Sequence, residues 1–341
     1  RVSYNRAIRS ANIFELYRPA GLNLGGTFDP CSTPNPAATF EECARTGVTQ
    51  NQYGEIDSNP ANQYNTWEGG NPNLDPETAD TITAGIVITP EGLPGFTATV
   101  DYYKIDIEDA IDPLAYGTVM NQCINTGDPA YCDLIIRDEF GSLWNTQRGY
   151  VITTYQNVGL YGNRGVDFSL NYMHTIGNAG LISFDFAGTY LMENSFAQAE
   201  ISYDCAGYFG LANCLDPLPE WRHLFRFSWE TNFGSTFSLG WRYHGEVWNE
   251  VTAEDQPDLY NPGDAELYEV SDIDYIGAYN YLDLGWTQTL GDNVQFTLGV
   301  NNVLDKDPPF GADHADDPNW TFYNSYDPLG RYVHASLRFA F

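Results

Sequence analysis

The sequence has 341 residues, of which 46 are acidic and 15 are basic, so the formal net charge is −31 at pH 7. So large a negative charge argues against nucleic acid and anionic lipid headgroups as partners. No stretch approaches 18 consecutive apolar residues, which excludes membrane-spanning helices. Aromatic residues make up 15% of the chain.

Apolar and polar residues alternate in ten segments, and this period of two predicts ten β-strands. The first segment, residues 1–10, is the least regular, because Arg6 falls on the same side as Val2, Tyr4 and Ile8. The other nine segments lie near residues 78–89, 96–108, 166–172, 182–190, 225–233, 237–244, 282–287, 294–301 and 330–341.

The third segment changes its apolar side partway along. Phe96 and Val100 lie on one side, whereas Ile105 and Ile107 lie on the other. Either a β-bulge near Tyr102, or a strand that leaves the membrane there, would explain the change.

The last segment has the clearest alternation, with Val333, Leu337 and Phe339 opposite His334 and Arg338. A transmembrane β-barrel requires this pattern in every strand, because one face meets lipid and the other a polar lumen. A soluble β-sandwich is the alternative, but its dry core would have to pair many charged side chains. We therefore predict ten antiparallel strands with these lipid-facing residues: Phe184, Phe186, Phe227, Trp229, Leu239, Trp241, Leu284, Phe296, Leu337 and Phe339.

Five long loops alternate with four short turns between the predicted strands. The long loops, residues 11–77, 109–152, 193–220, 249–277 and 305–329, hold 35 of the 46 acidic residues but only 5 of the 15 basic ones. Long loops on one side and short turns on the other are typical of outer-membrane barrels. Within the second loop, Asp128 and Pro129 predict the cap and first position of a short helix that continues through Arg137.

The six cysteines fall in three local pairs, each within one long loop, and no zinc-type CxxC spacing is present. Local pairs in loops predict disulfides and an oxidising compartment such as the periplasm or cell surface. The predicted bonds are Cys31–Cys43, Cys123–Cys132 and Cys205–Cys214.

Five segments in order resemble the TonB-dependent outer-membrane receptors. They are residues 6–17, the NPNLDPE motif at 71–77, residues 157–168, residues 301–306, and residues 327–332 followed by the terminal Phe341. The resemblance spans essentially the whole chain. It implies an all-β, antiparallel transmembrane barrel, with residues 1–341 forming about the last ten of 22 strands.

The same resemblance implies what the protein does and where. The expected location is the bacterial outer membrane, and the expected function is active import of a scarce large nutrient, either oligosaccharide- or peptide-like or a ferric siderophore. The expected partners are outer-membrane lipid and lipopolysaccharide, the barrel-assembly machinery through the strand ending in Phe341, and the TonB energy-coupling complex. The TonB contact would lie in an N-terminal region that, like the plug domain, is absent from this sequence. No enzymatic activity and no cofactor are expected.

A standalone ten-stranded barrel, acting as a porin or a membrane-embedded hydrolase, is the alternative function. Ten strands would close a narrow pore, for which loops of this length are out of scale. Residues 1–6 also carry no signal peptide, so we expect either a processed chain or a fragment. We therefore predict that the first and last strands do not pair with each other.

Aromatic residues and a rare cation in the acidic loops are the candidate ligand contacts, because aromatic rings stack on sugars and planar ligands. Packing of the loops on themselves is the alternative for each. Asp313, Asp316 and Asp317 could bind Ca²⁺ or simply be solvated. The five histidines are scattered and no catalytic motif is present, so no catalytic or metal-binding residue is predicted. The candidates are Trp67, Trp144, Arg148, Trp248, Trp320, Phe322 and Tyr323.

Overall fold

The computed structural model describes residues 1–33, 35–199, 201–210, 213–253, 256, 259, 274–291, 293–310, 321–322 and 324–340. Ten long strands form one antiparallel sheet in which every strand pairs with its neighbours in chain order. The strands are β1 (Val2–Arg9), β2 (Glu77–Ile88), β3 (Phe96–Pro113), β4 (Tyr155–Thr175), β5 (Leu181–Gln198), β6 (Trp221–Glu230), β7 (Ser235–His244), β8 (Tyr279–Leu290), β9 (Val294–Asn301) and β10 (Tyr332–Phe339).

The sheet is open, with β1 at one edge and β10 at the other. Within the described ranges no ladder joins these two strands, which confirms the prediction that they do not pair. Among the described helices, none is long and apolar enough to cross a membrane.

The two faces of the sheet have the compositions that the alternation predicts. Phe184, Phe227, Leu239 and Leu284 are register partners across β5 to β8, so they share one face, here called the apolar face. None of the ten residues predicted to face lipid is buried, and the Phe184 and Phe227 ring centroids lie 5.1 Å apart on this face. The prediction that these side chains stay outside a closed core is therefore confirmed.

The opposite, polar face carries charged residues in register. Asp185 lies opposite Arg226 and Gly240 lies opposite Asp283. The charged groups on this face need water or other polar groups as partners, because burying an unpaired charge in a dry core costs too much free energy.

Arg6 interrupts the apolar face of β1 in the structure too, but it does so as part of an ion pair. It lies directly opposite Asp80 of β2, and its Nε donates to Asp80 Oδ1 at 2.7 Å. The Tyr4 hydroxyl donates to the same carboxylate oxygen at 2.7 Å. The irregular alternation of the first segment therefore reflects a paired charge rather than a break in the strand.

No β-bulge interrupts β3 at the point where its apolar side changes. Tyr102 and Tyr103 pair regularly with Ala84 and Thr83, and the ladder to β4 continues unbroken to Ile107. The register shifts only beyond Ile107, next to Asp109 with its φ of 55°. The bulge alternative is wrong at this position. The strand continues without interruption, and the point where its apolar residues change sides marks the end of the apolar band, the part of the apolar face lined with hydrophobic side chains.

The helices in the described ranges are short and lie in the long loops and one turn. They are α1 (Ile13–Tyr17), α2 (Phe40–Arg45), α3 (Tyr116–Thr126) and α4 (Pro129–Cys132), with 3₁₀ turns at Gly177–Ala179 and Glu250–Thr252. Asp128 caps α4 as predicted, its side chain accepting from Ala130 N at 2.9 Å. The predicted extension to Arg137 is wrong, because Ile135–Ile136 is a strand that pairs with Tyr150–Ile152.

Candidate functional site

Among the described residues, the long loops rather than the sheet contain most of the buried hydrophobic side chains. The first and second loops fold together into what we call the first loop module, residues 10–76 and 114–154. Its core joins both loops through Tyr64, Val119, Met120 and Leu143, which are all at most 2% exposed. A four-stranded sheet runs beside this core, in the order Gly21–Gly26, Tyr64–Glu68, Tyr150–Ile152, Ile135–Ile136.

Two of the three predicted disulfides staple the first loop module. Cys31–Cys43 has Cα atoms 5.7 Å apart, and Cys123–Cys132 has them 4.8 Å apart. Three of these four cysteines are fully buried in the shared core. Both bonds are therefore structural, and their prediction is confirmed.

A buried ion pair links the two loops of this module. Arg137 Nη1 lies 2.7 Å from Asp29 Oδ2, and the two side chains are 3% and 1% exposed. Beside it, the Tyr116 hydroxyl donates to Phe28 O at 2.8 Å. Burial, followed by the Asp29 charge, holds the pKa of Tyr116 well above its usual value of 10.

The third, fourth and fifth loops build the second loop module, which comprises the described parts of residues 199–220, 245–278 and 302–331. One of its cores contains Phe209, Val247, Ile276 and Phe322. The other surrounds the third predicted disulfide, Cys205–Cys214, whose Cα atoms are 5.3 Å apart, so this bond is also confirmed. A short strand, Ile201–Asp204, folds back and pairs antiparallel with the end of β5, residues 195–198, which connects the sheet to this module.

A three-stranded sheet in the second loop module has one buried face and one partly exposed face. It consists of Tyr208–Phe209, Val247–Asn249 and Tyr275–Ile276. Phe209, Val247 and Ile276 point to the core and are at most 5% exposed. On the other face, Tyr208, Trp248 and Tyr275 are successive register partners and form a row of rings.

Two rings of this row, Trp248 and Tyr275, lie beside the carboxylate of Glu246. We call these three residues the aromatic corner. The Trp248 and Tyr275 centroids lie 4.5 Å apart at an interplanar angle of 45°, and the residues are 48% and 41% exposed. The Tyr275 hydroxyl donates to Glu246 Oε2 at 2.5 Å. This hydrogen bond to a carboxylate raises the pKa of Tyr275 and fixes the carboxylate beside the rings.

A cavity of about 450 Å³ lies against the polar face of the sheet near its long-loop end. Asp167, Thr189, Arg222 and His244, which follow one another in register from β4 to β7, contribute to its lining, together with Arg242. Arg242 is neutralised by Asp283 at 2.9 Å and Asp327 at 3.4 Å. Arg222 makes no ion pair among the described residues, so it offers a cation to this cavity.

The predicted contact residues are dispersed rather than gathered in one site. Trp67 packs beside Tyr150 at 5.4 Å, and Trp144 Nε1 donates to Asp57 O at 2.9 Å, both within the first loop module. Arg148 pairs with Glu139 at the surface. Phe322 lies in a loop core against Phe209, so it supports the loops, whereas Trp248 stands in the aromatic corner. Trp320, Tyr323 and Phe341 lie outside the described residues.

Sequence reasoning missed Tyr275, Glu246 and Tyr208 as partners of Trp248. A period-of-two signal needs about four residues, but Tyr208–Phe209 and Tyr275–Ile276 are only two residues long. The alternation of Glu246, Val247 and Trp248 was the one available signal. Within the described part of the chain, no group of three or more acidic, histidine or cysteine residues could hold a metal ion, and Asp313, Asp316 and Asp317 fall outside it.

Comparison with known proteins identifies the architecture. A family model described as TonB dependent receptor-like, beta-barrel, matches residues 1–303. No curated protein sequence matches this chain. Among solved structures, a mutant of the ferric enterobactin receptor PfeA from Pseudomonas aeruginosa is 15% identical with a TM-score of 0.59, covering 100% of this chain and 38% of that one.

The siderophore receptor PirA from Acinetobacter baumannii is similar to the same degree, with 15% identity, a TM-score of 0.60 and the same two coverages. At this identity the likeness concerns the fold, and the present chain spans less than two fifths of either receptor's length. Because the family model extends over most of the sequence, this chain belongs to the TonB-dependent receptor β-barrel family.

Proposed function

We propose that this chain is the C-terminal part of the barrel of a bacterial outer-membrane transporter that actively imports a scarce large nutrient. The observation that carries the proposal is the combination of a two-faced, ten-stranded sheet with two folded loop modules at one end of it. A barrel of this construction places the apolar face in lipid and the polar face around a lumen. The modules would then receive cargo at the cell surface.

The proposed partners follow from this arrangement. The apolar face would contact outer-membrane lipid and lipopolysaccharide, and β10 would engage the barrel-assembly machinery. Energy would come from the TonB complex, through a plug and N-terminal region that precede this part of the barrel in the complete protein. We propose a transport role with no catalytic step.

The cargo is proposed to be neutral or cationic, in the class of oligosaccharides or peptides. Acidic residues outnumber basic ones by 35 to 5 in the loops, and such a field repels anions. A ferric siderophore is the second candidate, because the solved structures with the same fold include a ferric enterobactin receptor and a siderophore receptor. Arg222, which has no ion-pair partner among the described residues, lies beside the polar-face cavity and would suit an anionic iron complex.

Growth tests on a strain that lacks the gene separate these candidates. The proposal expects slow growth on one large nutrient supplied at low concentration, and normal growth on small sugars that diffuse through porins. A defect confined to iron-limited medium with a siderophore would replace the neutral or cationic cargo with the siderophore. Normal growth on oligosaccharides, peptides and siderophores alike would contradict the import function.

A further inference from the structure

We propose that the aromatic corner, Glu246, Trp248 and Tyr275, binds an organic cation of the alkylammonium class. This inference deepens the proposed function, on which it rests for the claim that the bound group is part of the cargo. The cation would be a basic side chain of a peptide or an ammonium group of a small nutrient. The binding site itself is tested below without any transport.

The two rings present their faces where a cation can reach them. Trp248 and Tyr275 are neighbours across two short strands, and both remain about half exposed although they contact each other. A cation within about 6 Å of an aromatic face is attracted by the ring quadrupole, and tryptophan is the best of the aromatic residues for this purpose. The two rings are tilted by 45° rather than stacked face to face, so part of each ring surface stays open to a ligand.

Glu246 supplies the negative charge that a neutral ligand would not require. It immediately precedes the strand Val247–Asn249, and its hydrogen bond from the Tyr275 hydroxyl places its carboxylate beside the rings. Its carboxylate accepts from the Tyr275 hydroxyl and makes no ion pair within the described part of the chain. The charge is therefore held next to the rings and remains available to a ligand.

The corner is supported from beneath, so it does not need a ligand to form. Val247 and Ile276, on the opposite face of the same strands, are 0% and 3% exposed in the core of the second loop module. Trp248 N donates to Gly207 O at 2.9 Å, which ties the central strand to the loop stapled by Cys205–Cys214. Preorganised rings lose little conformational freedom on binding.

The acidic field of the loops favours the same class of ligand. A surface with a large excess of carboxylates concentrates cations near it and repels anions. Exposed large aromatic residues with a polar rim are also a common mark of a binding surface. A neutral sugar could stack on the rings, but neither Glu246 nor the field would then contribute a charge interaction.

The test measures binding of tetramethylammonium chloride to the complete purified protein in a neutral polyoxyethylene detergent, which contains neither sugar nor ammonium groups. Saturation-transfer NMR or calorimetry gives the affinity, and tert-butanol serves as a neutral probe of similar size. The inference expects tetramethylammonium to bind at least about 3-fold more tightly than tert-butanol. W248L should weaken its binding by about 2- to 5-fold, the range of a cation–π contact at an exposed site.

Three further variants separate charge, ring and fold. E246Q keeps the side-chain size and should weaken tetramethylammonium binding several-fold, whereas E41Q removes the same charge from the exposed first turn of α2 and should leave it nearly unchanged. Y275F keeps the ring and releases the Glu246 carboxylate, so a smaller loss is expected. Thermal melts and intact disulfides check that each variant is folded.

The inference is overturned if the two probes bind equally, if E246Q and E41Q weaken binding to the same extent, or if only neutral oligosaccharides bind the corner. Because the site is measured on purified protein, its failure would leave the growth phenotype intact. A missing growth phenotype with normal tetramethylammonium binding would contradict import but not the site.

Discussion

Asp29 and Arg137 come from different loops, 108 residues apart in sequence, and form a bidentate ion pair with Nη1–Oδ2 and Nη2–Oδ1 distances of 2.7 and 2.9 Å. Arg137 also donates to Thr46 Oγ1 at 2.9 Å and to Gly141 O at 2.8 Å, and Asp29 Oδ1 accepts from Cys31 N at 3.0 Å. These hydrogen bonds satisfy both buried charges. The pair therefore fixes how the first two loops pack in the first loop module.

Removing one partner of this pair should destabilise the module strongly. Asp29→Ala leaves Arg137 buried without a counter-charge, which destabilises by about 3 to 5 kcal/mol. Hydrogen exchange of amides in the module core, such as Val119 and Val151, measures the free energy of opening. Arg148→Ala is the matched control. The side chain of that arginine is 73% exposed, so its ion pair with Glu139 should contribute under about 1 kcal/mol to the free energy of opening. Equal effects of the two variants would contradict this role.

Each disulfide should protect its own loop module. Replacing Cys123 and Cys132 by serine removes a short closed loop and should lower the stability of the first module by about 3 kcal/mol. Limited proteolysis should then cut residues 114–154 faster and leave the second module unchanged. Replacing Cys205 and Cys214 should give the reverse pattern, and faster cutting of both modules in either variant would show that the two are not independent.

The first loop module should lose stability in alkali. The pKa of Tyr116 is raised in the folded state by burial, so the folded state holds the proton that the unfolded state, with a pKa near 10, releases. The stabilisation is complete below pH 10 and declines as the pH rises above it. Tyr116→Phe removes the titrating group and one hydrogen bond, so it should lower stability at pH 8 but flatten its decline above pH 10. An unchanged decline in the variant would exclude Tyr116 as the cause.

The two faces of the sheet should meet different surroundings in a membrane. Leu239 and Ser238 are neighbours in β7 but lie on opposite faces, next to Leu284 and Gly285 of β8. A nitroxide label at position 239 should be relaxed more by oxygen, which dissolves in lipid, and one at 238 more by a water-soluble nickel complex. The same preference at both positions would be inconsistent with a lipid-facing apolar surface.

The alternation of apolar and polar side chains was sufficient to predict the strands and their two faces in the part of the sheet that carries the apolar band. Apolar residues such as Phe184 and Phe227 alternate strictly with polar ones, because successive side chains of a strand face lipid and lumen in turn. The strand ends were less predictable. β4 begins at Tyr155, but Asn157, Gly159 and Asn163 belong to a stretch in which apolar and polar side chains do not alternate. Beyond the apolar band both faces of a strand can be polar.

The loop structure could not be read from local patterns. The helix Tyr116–Thr126 is buried on much of its surface against a different loop, and this contact follows from packing across a large sequence separation. The three disulfides were predictable because each closes within one loop. The meeting of Trp248 with Tyr275 was not, because the strand that carries Tyr275 has only two residues.

The most direct test of the account measures uptake of the nutrient identified by the growth tests, in three strains. They are the wild type, a strain without the gene for this protein, and a strain without the TonB energy-coupling protein. Active import predicts that uptake at low nutrient concentration is lost to the same extent in both mutants. Uptake that persists without the coupling protein but disappears without this protein would indicate a passive porin, and would contradict the proposed active transport.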